Sequence, residues 1–187
     1  MIGKTIDEVK AGDHAEITRV VGNDDIADFV SAVGDYNPVH SDPAFAATTM
    51  FKSPIAPGIF TAGLISAVIG TTLPGPGAIY LSQSLKFMKP VYASDTITAR
   101  VEVAEVIRER NRIRLTTVCT NQRGEEVLSG EAWVMPSKTP IVYEQTRGGM
   151  AAVAGWPVLP LAWAAETAAA WSALGLAMMG GSMRRTI

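Results

Sequence analysis

The chain is poor in the residues that build covalent or metal frameworks. It has one cysteine, Cys119, and two histidines, His14 and His40, among 187 residues. A single cysteine excludes an internal disulfide framework and a cysteine-rich metal site, and it fits a reducing compartment. Neither sign of charge dominates: 16 basic and 18 acidic residues leave a formal net charge of −2. That balance argues against nucleic acid as a partner, although local basic patches can still attract an anionic ligand. The N-terminus, Met1 to Glu8, has no apolar signal-peptide core, so a cytoplasmic protein is expected.

What the chain does have is apolar bulk, 48% of its residues, enough for one substantial core and an accessory segment. The expected division is a core domain over 1–136 and a linker with an alanine-rich helical extension over 137–187. Near the N-terminus, Thr5–Val9 and His14–Val20 read as short extended segments, with His14 a surface strand residue. Asn23 or Asp24 can cap a helix over Asp25–Val33, and Gly34 is placed to end it. Asp42-Pro43 resembles a cap followed by proline at the first helical position, opening a short helix over Ala44–Met50 with Phe45 and Met50 on its buried side. Gly58–Thr72 is apolar almost all round, the pattern of a buried helix, and its small residues would let a sheet approach closely. Pro74-Gly75-Pro76-Gly77 stops it.

Beyond that point the period changes to two. Ile79–Lys89, Thr96–Arg108, Asn111–Asn121 and Glu125–Met135 read as strands joined by antiparallel turns. Ile97, Ala99, Val101 and Val103 share one buried face, and Leu115, Thr117 and Cys119 alternate in the same way, which makes Cys119 a core thiol. The fold class is therefore α+β, a curved antiparallel sheet around a central helix. Leu161–Met179 reads as a further helix with Trp163 and Trp171 on an apolar stripe. It suits an accessory or subunit contact better than attachment to a hydrophobic surface. A membrane span fits it least, since Glu166, Thr167 and Ser172 interrupt it.

The chemistry concentrates in Gly34-Asp-Tyr-Asn-Pro-Val-His-Ser-Asp-Pro43. Asp35 and His40 combine a carboxylate with a proton-exchanging imidazole, and Pro38 bends the chain between them. Together they can orient and deprotonate a water for attack on an alkene conjugated to a carbonyl. The competing reading is an exposed turn. One Asp and one His lack a third ligand at recognisable spacing, so no metal is expected. Gly58, at a helix start, can offer its N–H to a thioester oxygen, or can serve tight packing alone. Asn37 can hold the bend or help place the water, and Ser82 and Gln83 are candidates to line the site. Lys86 and Lys89, with Arg108, Arg110, Arg112 and Arg114, either meet phosphates of an acyl carrier or solvate a strand face. Tyr36, Met50, Phe51 and Phe60 are placed to set pocket depth.

These motifs, with Pro54-Ile-Ala-Pro-Gly58, Leu73-Pro-Gly-Pro-Gly77, the run Ile79 to Val91, Gly124 and Gly130-Glu-Ala-Trp133, closely resemble the MaoC-like, (R)-specific enoyl-CoA hydratase family over residues 5–135. The resemblance implies a hot-dog fold in paired units. It implies Asp35 and His40 as the hydratase pair and Gly58 as donor to the thioester oxygen. The reaction it implies is reversible addition of water to trans-2-enoyl-CoA, giving (3R)-hydroxyacyl-CoA, with coenzyme A part of the substrate and no separate cofactor. An acyl-carrier-protein-linked dehydratase, or a hydratase for branched or dicarboxylic acyl-CoA, is the neighbouring alternative. A non-catalytic acyl- or granule-binding module is the alternative of a different class. One departure stands out: many relatives carry histidine before the glycine, where this chain has Pro57. The extension lies outside the resemblance, and granule association through it is the looser expectation.

Overall fold

The structure, a computed structural model, describes residues 1–144. The expected helix over Leu161–Met179 and its tryptophans lie outside the described residues. Among the described residues, no helix is long and apolar enough to cross a membrane.

Two short strands, β1 (Ile2–Gly3) and β7 (Ile141–Val142), pair with each other. Residues 141–142, read from sequence as linker, are thus paired with the first strand of the chain. The main sheet holds β2 (His14–Val20), β3 (Ile79–Phe87), β4 (Thr96–Ile107), β5 (Arg112–Thr120) and β6 (Glu126–Met135), in the antiparallel order β2-β4-β5-β6-β3. Three helices accompany them: α1 (Asn23–Val33), α2 (Pro43–Thr48) and α3 (Gly58–Thr71). The result is the central helix in a curved antiparallel sheet that the hot-dog resemblance implies.

α3 is held by Leu64, Ile65, Val68 and Ile69, all buried against the sheet face that presents Ile97, Ala99, Val101, Leu115 and Cys119. Each such side chain contributes about 1.5–3 kcal/mol by leaving water. Cys119 is fully buried, and burial pushes its thiol up to about 12, which leaves it protonated and unsuited to be a nucleophile. The opposite side of α3 is open: Ile59, Gly63, Ser66 and Gly70 are exposed. β3, at the sheet edge, is exposed beside it at Ile79 and Leu81.

Several local expectations are corrected. Thr5–Val9 is not extended over its length; Ile6–Glu8 is a 3-10 turn, closed by the Glu8 carboxylate on the Thr5 N–H at 2.8 Å. α1 begins two residues earlier than expected, at Asn23, with Gly22 as its cap instead of Asn23 or Asp24. The Asp25 carboxylate reaches back to the Gly22 N–H at 2.9 Å. α2 ends at Thr48, short of Met50; Ala46 is its buried residue, while Phe45 and, beyond the helix, Met50 are exposed. The break at Pro90–Asp95 is not a hairpin. β3 pairs with β6, so this connection carries the chain from one edge to β4, beside the opposite edge.

One ion cluster ties the sheet to the region below. Glu125 accepts from Asn121 at 2.8 Å, Lys89 at 2.6 Å and Arg123 at 2.8 Å. The Asn121 hydrogen bond, then those from Lys89 and Arg123, lower the carboxyl to about 2. A depressed folded-state value stabilises the native state above the ordinary carboxylate range and loses that effect as pH falls toward 2. Glu125→Gln is therefore expected to melt at lower temperature than the parent at neutral pH, with the gap closing between about pH 4 and pH 2. A pH-independent gap in thermal melts would contradict this.

Candidate active site

Asp35 and His40 meet because the backbone between them is fixed at each step. Gly34 ends α1 in the left-handed region (φ 74°), where a glycine pays no steric penalty, and its N–H bonds Val30 O at 2.9 Å. The Asn37 side chain accepts from Val39 N at 3.3 Å and opens the 3-10 turn Pro38–His40. That bond braces the bend. Asp42 then caps α2, accepting from Ala44 N at 2.8 Å and Phe45 N at 3.1 Å.

The geometry brings His40 Nε2 to 3.6 Å from Asp35 Oδ2. The imidazole is nearly sealed, at 9% side-chain exposure, whereas the carboxylate is open at 46%. On its other side, His40 Nδ1 lies 2.7 Å from the Ile55 carbonyl oxygen. A carbonyl can only accept, so Nδ1 carries the hydrogen and donates it. In the neutral ring Nε2 is then an acceptor facing the carboxylate. A separation of 3.6 Å is too long for a direct hydrogen bond and suits two groups that share a third.

Ile55 connects this pair to Gly58. Its N–H bonds Val39 O at 3.2 Å, and the next N–H, of Ala56, bonds Val91 O at 2.8 Å. The loop is thus clamped between the Asp/His turn and the sheet, and it delivers Pro57 as cap and Gly58 as first residue of α3. The Gly58 N–H has no acceptor within the helix. Gly58 also borders a cavity of about 420 Å³, together with Met50, Phe51, Ile55, Phe87 and Lys89. A Cβ added at Gly58 would stand 2.6 Å from Phe87 Cε1, so glycine here makes room for that ring.

Within one chain, Asp35 and His40 do not line this cavity; Ile55 is the residue common to it and to the histidine. Ser82 and Gln83 lie elsewhere. They line a groove of about 490 Å³ on the open side of α3, with Phe29, Ser66 and Tyr80, and Ile59 borders both spaces. Gln83 is engaged there: it donates to Thr117 Oγ1 at 2.9 Å and accepts from the Tyr80 hydroxyl. Burial, reinforced by Cys119, pushes that hydroxyl up to about 12, so it keeps its proton at neutral pH and donates it to Gln83. Of the residues placed to set pocket depth, Met50 and Phe51 border the Gly58 cavity, while Tyr36 is 71% exposed. The contributions of Ile55 and Phe87 were not visible in sequence, since one acts through its backbone and the other is an ordinary strand aromatic.

Comparison with known proteins shows which family the chain resembles in sequence and fold. The family model described as MaoC like domain matches residues 4–124. A 3-hydroxybutyryl-CoA dehydratase of Methylorubrum extorquens is 50% identical over 65% of this chain and 77% of its own length. An (R)-specific enoyl-CoA hydratase of Rhodospirillum rubrum is 45% identical over 69% of this chain and 89% of its own. Among solved structures, the R-hydratase PhaJ1 of Pseudomonas aeruginosa superimposes with a TM-score of 0.74 at 41% identity, covering 78% of this chain and 94% of that one.

Proposed function

The chain belongs to the MaoC-like dehydratase family, and from that membership we infer that it is an (R)-specific enoyl-CoA hydratase. It adds water reversibly to a trans-2-enoyl-CoA and yields the (3R)-hydroxyacyl-CoA. The observation that carries this reading is the Asp35–His40 pair, held 3.6 Å apart and tied through Ile55 to the loop that starts α3.

We propose the following division of labour. A water seated against both Asp35 Oδ2 and His40 Nε2 donates one hydrogen to each acceptor, which turns an oxygen lone pair toward the β-carbon. As the C–O bond forms, the pair takes one proton from the water and the π electrons move to the thioester oxygen. The Gly58 N–H and the helix end favour that charge more than the ground state. A proton from the pair then reaches the α-carbon, so that H and OH have been added across the double bond. Elimination runs the same steps backward.

A homodimer belongs to the same proposal. β3 is nine residues long and, among the described residues, has one side unpaired, and a long free edge beside an open helix face invites another strand. A second copy pairing along β3 would cover both. Sedimentation at the mass of two chains is expected, and a single-chain mass at micromolar concentration would contradict it. A cytoplasmic location completes the reading, supported by the one buried cysteine.

The test of the activity is direct. Trans-2-enoyl-CoAs of several chain lengths are incubated with the protein, loss of the conjugated-enoyl absorbance is followed, and product configuration is determined. A (3R) product is expected. Release of free coenzyme A without hydration would point to a thioesterase instead.

A further inference from the structure

Arg110 and Arg112 differ from the arginines around them. Arg100, Arg108, Arg114 and Arg123 each face a carboxylate, on Glu102, Asp7, Glu131 and Glu125. Among the described residues, Arg110 and Arg112 take part in no ion pair. Both line a cavity of about 320 Å³ whose other walls are Leu81, Ser82, Ile107 and Trp133. No carboxylate borders it. Two guanidinium groups, a hydroxyl and an indole face form a chemically coherent set: guanidinium forks match phosphate oxygens, and an indole stacks on a planar base.

Position decides which thioester this cavity can serve. Leu81 and Ser82 lie toward the Ile79 end of β3, while Phe87, which packs on Gly58, is at the other end. Leu81 and Phe87 are six strand steps apart, about 20 Å. Two β3 strands paired antiparallel about their centre, Gln83, would set Leu81 against Leu85 and Ile79 against Phe87. That pairing carries one copy's arginine cavity toward the other copy's Gly58.

We propose that Arg110 and Arg112 of one copy bind the phosphate groups of the acyl carrier whose thioester lies at Gly58 of the other. The proposal rests on the dimeric, CoA-dependent reading above and adds a carrier-binding site completed in trans.

The test uses the full chain with both arginines changed, Arg110→Ala with Arg112→Ala. Kinetics are measured on a trans-2-enoyl-CoA and on the matching N-acetylcysteamine thioester, which has the same acyl group and no phosphate. KM for the CoA substrate is expected to rise about tenfold or more, with kcat within about twofold and both constants for the short thioester unchanged. An unchanged KM for the CoA substrate, or an equal rise for both substrates, overturns the site. Calorimetry with adenosine 3′,5′-bisphosphate and with inorganic phosphate reads binding without turnover. The parent is expected to bind the nucleotide and the variant to lose it; equal binding by both also overturns the site. Nucleotide binding by a parent that hydrates nothing would sink the hydratase reading and leave the phosphate site standing.

The trans arrangement has its own arm. Co-expression of the double variant with an Asp35→Asn chain makes mixed dimers in which intact Asp35 faces intact arginines across the interface. A low-KM fraction for the CoA substrate is expected to return; persistence of only the raised KM contradicts binding in trans.

Discussion

Asp35→Asn is expected to lower kcat for hydration by about 10²–10⁴-fold, with little change in KM. The asparagine has the same shape, so the Gly34 turn and the bend to His40 remain. What it loses is the ability to take a proton, and its amide nitrogen presents a donor where the water needs an acceptor. His40→Ala should be as damaging to kcat and should also cost stability, because it removes the donor to the Ile55 carbonyl at 2.7 Å. Leaving such a group unsatisfied costs about 1–3 kcal/mol. In the proposed mechanism the two groups act on one water, so the double variant should be little worse than either single one. Steady-state rates beside thermal melts separate these effects, and near-parental turnover by either variant would remove the pair from the mechanism.

Gly58→Ala is expected to reduce kcat/KM by about 10²–10³-fold. The reason is spatial. The new Cβ would meet Phe87 at 2.6 Å and 2.8 Å, so either the half-exposed ring or the start of α3 must move, and in the proposed mechanism that helix start presents the N–H to the thioester oxygen. Helix propensity alone points the other way, since alanine is the better helix former by about 1 kcal/mol. A loss of activity without a loss of helix stability therefore reports on site geometry. Phe87→Ala combined with Gly58→Ala relieves the collision and should recover part of the lost kcat/KM. Gly58→Ala with parental kcat/KM would contradict the role given to this glycine.

Much of the fold was legible because its signals are local and periodic. Ile97, Ala99, Val101 and Val103 alternate with polar residues and are all buried, and α3 has apolar side chains where a central helix needs them. The corrections came from two sources: strand pairings between distant parts of the chain, and side chains that reach back to close a local turn. Pro90–Asp95 has the composition of a tight turn, yet nothing nearby reveals that Phe87 pairs with Leu128 while Thr96 pairs with Val20. Gly22 carries no cap signal because it has no side chain; the Asp25 carboxylate closes the turn from the third position of the helix.

The candidate site divides the same way. The Gly34, Pro38 and Asp42-Pro43 signals describe a bend, and a bend is what brings Asp35 and His40 together. Ser82 and Gln83 were harder to place, because the shift in pairing between Tyr80 and Ser82 interrupts the simple alternation along β3. Gln83 consequently reaches Thr117. The arginine run was read as one feature, but its members separate once their partners are known. Arg114 is satisfied by Glu105 and Glu131, whereas Arg110 and Arg112 line a cavity.

The most direct measurement is a crystal structure with a saturated acyl-CoA, which fits the site but offers no double bond to hydrate. The expected result is a β-carbon beside a water shared by Asp35 Oδ2 and His40 Nε2, with the thioester oxygen in hydrogen-bonding distance of the Gly58 N–H. An acyl chain seated where neither Asp35 nor His40 can reach its β-carbon would contradict the proposed chemistry.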